Sequence, residues 1–376
     1  MNLFLKFYEN LKISPVSQDI SDFQKHVARR TALYRQLGLL PLTFRNAEVL
    51  EVGPGSGHNS IVTAGFKPRR LVLVEPNSTG FQAVTALFRD FTDIPIEIHH
   101  ALLENYAEPG LFDIVLCEGL VPGLDHKEAF LDQLDARVTP GGVLVITCYD
   151  SVSILFESLR RLIGKILIRD VVGIEDRINI LTQAFGSHLA SLKGMTRSPR
   201  DWVLDNLLAP PVFNVKDYFS VGQAISFFAD RYYFYQSSPS FLSNYAWYKE
   251  LSSEPSEFNH NYIDQFRANQ HNLIHYQQES LSPRAGELNI ELEKGCSELA
   301  GLAQQDMIEA GVVVSLLERI RRNLGQHMLA TAALNEVMAL FESGEFIPEK
   351  IAVDYPAFRA AFGRGQQYVS LLKVGG

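Results

Sequence analysis

Between Glu48 and Tyr149 the chain sets five short apolar runs, EVLEV, RLVLVE, IPIEIHH, FDIVLCE and GVLVITCY, apart by helical or loop stretches. Runs this short, rich in Val, Ile and Leu and bounded by Gly or Pro, suit strands of a parallel sheet buried on both faces. The intervening NSTGFQAVTALFRDF and HKEAFLDQLDARVT have helical length and period. Such β-α-β-α alternation dictates an α/β, doubly wound sheet. Thr139-Pro140-Gly141-Gly142 reads as a sharp turn into a strand from Val143 to Cys148.

Outside this block the alternation stops. Residues 18 to 40 carry apolar positions at three- and four-residue spacing and predict a helix that ends before Pro41. After Asp150, SVSILFESLRRLIGKILI predicts an amphipathic helix, and Pro210-Pro211 must interrupt any helix in DWVLDNLLAPPVFN. VGQAISFFADR is a further helix, YYFYQSSPS an aromatic strand ended by Pro239, and residues 260 to 345 are mainly helical. Tyr232 to Gln236 and Gln367 to Val374 have strand composition and are expected to return to the early sheet, which makes the helices between them insertions.

The bulk properties bound the function. The chain has 376 residues, a formal charge of −9 and ordinary apolar content, so no basic footprint for duplex nucleic acid is present. Cys117, Cys148 and Cys296 form no C-x-x-C pair, so neither a disulfide framework nor a metal site is indicated, and cytoplasmic localisation fits best. No apolar run approaches the ~18 residues of a membrane span. The expected partners are a small-molecule substrate, no nucleic acid and no membrane, with helical surface equally suited to a homodimer.

The turn after the first strand carries the chemistry. EVGPGSGHNS puts Gly53, Gly55 and Gly57 at alternate positions, and a strand, a glycine turn and a helix together aim free backbone N–H groups at a ligand. The dinucleotide fingerprint G-x-G-x-x-G fails, because position 58 is His58. Glu51, two residues before the first glycine, would repel a pyrophosphate but suits a cationic ligand with an amino group.

Glu51-Val52-Gly53-Pro54-Gly55-Ser56-Gly57 resembles the first motif of class I S-adenosylmethionine-dependent methyltransferases. The resemblance implies that the loop wraps the amino acid end of S-adenosyl-L-methionine, with the acid placing its ammonium group. It implies that Glu75, ending Leu71-Val72-Leu73-Val74-Glu75, binds the ribose hydroxyls; a carboxylate can accept two hydrogen bonds from a vicinal diol. Pro76 and Asn77 would line the adenosine pocket, and Ala101 and Leu102, after His100, would contact the adenine. The resemblance covers about residues 47 to 150, its fourth and fifth strands matching at Phe112 to Glu118 and after Pro140-Gly141-Gly142.

Other positions are less determinate. Glu118 ends the fourth strand and is placed to touch the cofactor, to act as a general base or to cap the next turn. His58 either faces the cofactor or sits in the first helical turn. Asp125 and His126 start a helix, where the acid is the plainer cap and His126 a candidate base. Tyr149 ends the fifth strand on the active edge and is as suited to packing as to catalysis. Cys117 and Cys148 read as small core residues.

YYFYQSSPSFLSNYAWY holds eight aromatics in seventeen positions; Tyr245, Trp247 and Tyr248 lie beyond its strand and are placed to wall a substrate pocket. Asp201, Trp202, Asp205 and Asn206 share a helical face suited to a lid or to ordinary amphipathic packing. Arg160-Arg161 and Arg319-Arg321-Arg322 read as solvated helix faces.

The resemblance therefore implies a seven-stranded mixed sheet of the class I methyltransferase type with helical insertions. Its organisation is an N-terminal helical segment (1–45), a Rossmann-like cofactor core (46–150), a helical cap (151–230), a returning strand (231–240), a helical insertion (241–362) and a final strand (363–376). The expected function is transfer of a methyl group to an oxygen or nitrogen of a small or medium-sized metabolite. The alternatives are a non-catalytic S-adenosylmethionine-binding or partner protein, or another enzyme on this fold such as a nicotinamide-dependent oxidoreductase or an aminopropyltransferase.

Overall fold

The computed structural model describes the chain except residues 1–2, 15–18, 108–109, 210–217, 242–244 and 376. The interruption expected at Pro210-Pro211 and part of the aromatic tract lie outside the described residues. The elements begin α1 (Leu3–Leu11), α2 (Phe23–Gln36), α3 (Pro41–Phe44), β1 (Glu48–Val52), α4 (Ser60–Gly65), β2 (Arg70–Val74), α5 (Ser78–Phe88), β3 (Ile96–His99), β4 (Phe112–Cys117), α6 (Lys127–Asp135) and β5 (Val138–Cys148). They continue α7 (Leu155–Leu167), α8 (Ile174–Ser191), α9 (Pro199–Val203), α10 (Val221–Phe227), β6 (Tyr232–Ser238), α11 (Pro255–Asn269), α12 (Gly286–Leu302), α13 (Ala310–Arg322), α14 (Met328–Ser343), α15 (Pro348–Val353), α16 (Pro356–Ala360) and β7 (Gln367–Lys373).

The seven strands form one mixed sheet in the order β3-β2-β1-β4-β5-β7-β6. The first five are parallel neighbours, and β7 runs antiparallel between β5 and β6. Both late runs thus rejoin the sheet. The order reverses where β1 and β4 lie side by side, which opens a crevice beyond their carboxyl ends. One core cluster joins Val49, Leu71, Leu73, Ile114, Leu116 and Val145 of the sheet to Tyr34, Phe44, Val84 and Phe88 of the covering helices. Cys117 and Cys148 are buried free thiols within the strands.

Pro140-Gly141-Gly142 does not make the expected turn. It lies inside β5, with Gly141 at φ 78°, and the β4–β5 register shifts between Phe112 and Ile114. The glycines let the strand bulge and continue.

The chain divides into two units, residues 1–148, 219–265 and 366–376 in the first and 149–218 and 266–365 in the second. Residues 219–230 and 241–265, expected among the insertions, go with the sheet. Ser220 begins α10 in a reciprocal capping box with Gln223, and α10 leads directly into β6. Asn259 of α11 accepts from Phe234 N (2.8 Å) and donates to the carbonyls of Tyr232 (2.7 Å) and Ala229 (3.1 Å). That side chain satisfies main-chain groups on the edge strand.

In the second unit Arg160 corrects the expectation of a solvated helix face, since it is 0% exposed. Its Nη2 donates to the carbonyls of Ala361 (2.6 Å) and Phe358 (3.0 Å), its Nε donates to His188 Nδ1 (3.2 Å), and its guanidinium lies 3.9 Å from the Phe362 ring centroid. His188 Nε2 then donates to the Ile351 carbonyl (3.0 Å). Burial, then Arg160, push the imidazole down to about 2. A single cation thereby ties α7 to α8 and to the chain around α15 and α16.

The Asp201–Asn206 segment also departs from a regular α-helical face. Leu204–Leu208 form a π-helical stretch, Asp205 pairs with Arg197 at 2.6 Å, and Trp202 is buried.

Candidate active site

β1 ends in the glycine loop, and Gly53, Gly55 and Gly57 all have positive φ (73°, 57° and 79°). Only glycine adopts these conformations without strain. Space enforces the choice as well: a Cβ on Gly53 would lie 2.6 Å from Leu120 Cδ1, and one on Gly57 2.6 Å from Val84 Cγ2. The loop passes between β4's exit and the inner face of α5. Pro54 sets its first bend, and the Pro54 carbonyl accepts from Gly57 N at 3.0 Å.

Glu75 closes the loop from the adjacent strand. Its Oε2 accepts from Gly55 N and its Oε1 from Asn77 N, both at 2.7 Å. Burial raises its pKa and the two backbone bonds pull it back. Asn77 caps α5 by accepting from Gly80 N (2.7 Å). Glu9 of α1 reaches the same corner, accepting from Ser78 N (2.5 Å) and Asn77 Nδ2 (3.2 Å). Beside it His100 stacks on Phe81 at 4.8 Å and 16°, its Nε2 3.2 Å from the Pro76 carbonyl. Ala101 and Leu102 are half-buried, and Leu102 caps the 3-10 turn Leu103–Asn105.

The opposite wall comes from α2, which sequence reasoning treated only as a helix leading into β1. His26, Arg30 and Tyr34 recur every fourth residue and are all buried. His26 Nε2 lies 2.7 Å from the His58 carbonyl, so the main chain of His58 is held in the site. Arg30 Nη2 contacts Glu118 Oε1 at 2.6 Å and Tyr34 OH at 2.8 Å. Burial opposes the Arg30 charge, but Glu118, with Tyr34 and Tyr368, outweighs it and holds the guanidinium's pKa well above its ordinary value. Polar residues at helical period on a buried stripe were the available signal.

Glu51 lies between these walls, 6% exposed. Burial, then the nearby Glu118 carboxylate, push its carboxyl up to about 7. Its Oε2 is fully buried and has no hydrogen-bond partner, and the same holds for Arg30 Nε. An unmatched buried polar atom is costly. Asn59 Oδ1 and Ser60 Oγ beside the loop are unmatched as well, and Ser60 lies close enough to Glu51 to favour its carboxylate; an ammonium would suit Glu51 and a carboxylate Arg30. Glu75, its oxygens fixed by backbone donors, retains lone pairs for a diol. The residues present therefore fit S-adenosyl-L-methionine.

The other sequence candidates are placed differently. His126 is exposed at the N-cap of α6 and makes no side-chain capping bond, so the cap is not Asp125. Tyr149 belongs to the second unit, buried with its ring 6.1 Å from that of Tyr218. Glu118 follows β4 beside the glycine loop and is engaged by Arg30 at 2.6 Å. Tyr245, Trp247 and Tyr248 are exposed. Among the described residues no group of three His, Cys, Asp or Glu is arranged to hold a metal ion.

Residues 23–179 match the family model described as "Methyltransferase domain". No curated protein sequence matches the chain. Among solved structures, the N-methyltransferase NodS from Bradyrhizobium japonicum is 18% identical, with 49% of this chain and 86% of that one covered and a TM-score of 0.32. An S-adenosylmethionine-dependent methyltransferase from Mesorhizobium loti is 15% identical (30% and 50% covered, TM-score 0.27), and one assigned the same dependence from Listeria monocytogenes 16% (34% and 57%, TM-score 0.28). The chain thus spans about half the length of these last two. The matched segment contains α2, the glycine loop, Glu75 and Glu118, and its likeness is to a methyltransferase domain.

Proposed function

We propose that the chain transfers a methyl group from S-adenosyl-L-methionine to an oxygen or nitrogen of a small or medium-sized metabolite. The observation that carries the reading is the unmatched buried atoms Glu51 Oε2 and Arg30 Nε beside the tight glycine turn that ends β1. The cofactor supplies an already activated sulfonium methyl. The chain's residues bind, orient and exclude water: Glu51 and Arg30 take the amino acid end, Glu75 the ribose, and Pro76, Asn77, Ala101 and Leu102 the nucleoside. Glu118 acts as a positioning residue, holding the Arg30 guanidinium in place. Alignment of nucleophile and methyl is the main rate term this arrangement offers.

The size of the second unit supports an enclosed acceptor over a macromolecule. Because Glu118 is tied to Arg30 and His126 is exposed, the alternative is a protein that binds the cofactor without transferring its methyl. Calorimetry with S-adenosylmethionine, followed by labelled-methyl transfer across alcohol, phenol and amine acceptors, separates the two. Binding with turnover on one acceptor class is expected. Binding without turnover on any supports the alternative, and tight NAD binding with no S-adenosylmethionine binding sinks both.

A further inference from the structure

In the second unit the C-terminal end of α7, the first turn of α8 and the α12–α13 connection enclose a cavity of about 240 Å³ lined by Lys165, Ile168, Arg169, Arg177, Asp306 and Ile308. Three of these six are cations, in a chain of net charge −9, and Asp306 is the single acid. Lys165 Nζ donates to the carbonyls of Ala303 (3.0 Å) and Gln305 (2.5 Å), and Arg177 Nε to that of Val171 (2.6 Å). Main-chain oxygens thus fix two of the cationic heads without neutralising them. Guanidinium and ammonium groups converging on one cavity match the oxygens of a phosphate ester.

The rim is apolar. Val172 follows the residue whose carbonyl holds Arg177 and is 93% exposed; Met307 stands between two lining residues and is 71% exposed. Ile174, at the start of α8, is also exposed. A soluble phosphate would use the cations and leave these side chains in water. An anionic headgroup on an acyl chain uses both.

We propose that the second unit docks on a bilayer through this cavity, which takes the phosphate of an anionic phospholipid while Val172 and Met307 enter the headgroup–acyl boundary. Sequence alone led to the expectation of no membrane partner. That expectation rested on the lack of a spanning segment, and no helix among the described residues is long and apolar enough to cross a membrane. Lying on a surface needs only an apolar rim and a basic site.

The test is co-sedimentation of the full chain with vesicles of phosphatidylcholine alone or doped with phosphatidic acid. The chain should sediment only with the doped vesicles, and less as salt is raised, because exposed charges are screened. Arg169→Gln with Arg177→Gln should weaken binding roughly 25-fold, from about fivefold per lost surface cation. Val172→Asp with Met307→Asp should weaken it too.

Both double variants should keep the near-ultraviolet circular dichroism and S-adenosylhomocysteine affinity of the parent, since none of these residues belongs to the first unit. Sedimentation with neither vesicle, or binding undiminished in both variants, overturns the proposal. So does binding of free glycerol 3-phosphate without vesicle binding, which would assign the cavity to a soluble ester.

Discussion

Glu51→Gln isolates the group on which the cofactor assignment turns. In the free protein this buried carboxyl is pushed from its ordinary 4.5 to about 7, by burial first and by Glu118 second. Between those values the folded state binds the proton that the unfolded state has released, so stability falls as pH rises through the window. Above pH 7 the accumulated cost is roughly 3 kcal/mol, at 1.36 kcal/mol per pKa unit. Glutamine carries no charge and escapes it. The variant should therefore match wild type near pH 4.5 and exceed it by roughly 3 kcal/mol at pH 8 in urea unfolding.

Cofactor binding should move in the opposite direction. An ammonium placed against Glu51 favours the carboxylate, so S-adenosylmethionine should expel a proton below pH 7 and bind about tenfold more weakly per pH unit below that value. Calorimetry in buffers of different ionisation enthalpy counts that proton. Glu51→Gln should abolish the release and weaken binding by about 2 kcal/mol, the typical loss of a charge-assisted hydrogen bond. A variant no more stable than wild type at pH 8, or one that keeps both affinity and proton release, would refute the reasoning.

Glu75→Ala should weaken cofactor affinity by about 1–3 kcal/mol and also destabilise the free protein, because the N–H groups of Gly55 and Asn77 lose their acceptor; equilibrium dialysis and thermal melting read the two effects. Arg30→Ala leaves the buried Glu51 and the half-buried Glu118 as uncompensated acids and should cost about 3 kcal/mol in denaturant unfolding. Gly57→Ala forces a methyl group against Val84 at positive φ and should cost about 1–3 kcal/mol, with reduced cofactor affinity. Arg160→Leu strips the carbonyls of Phe358 and Ala361 of a shared donor, and faster hydrogen exchange around α16 should report the loss.

The parts of this protein that sequence disclosed are those whose partners lie close in the chain or whose pattern is repeated. Strand composition marked β1 to β5 because a buried parallel strand is apolar on both faces. The glycine spacing, Glu51 and Glu75 were legible because one β-α-β unit sets the distance from the glycine turn to the next strand end. Arg30 was not, although its helix was: its role depends on Glu118, 88 residues away, and only folding makes that pairing. Arg160 was misread for the same reason, its carbonyl acceptors lying 198 and 201 residues on.

Both arginines meet partners supplied by a distant part of the chain, and the default reading of an arginine is a solvated one. The recoverable signal in each case is a cation on the helix stripe that periodicity assigns to the core. In α2 that stripe reads His26, Arg30, Tyr34, and its polarity is what the loop opposite requires. A helix that buried Leu at these three positions would pack more simply, but it would leave Glu118 without the guanidinium it meets at 2.6 Å.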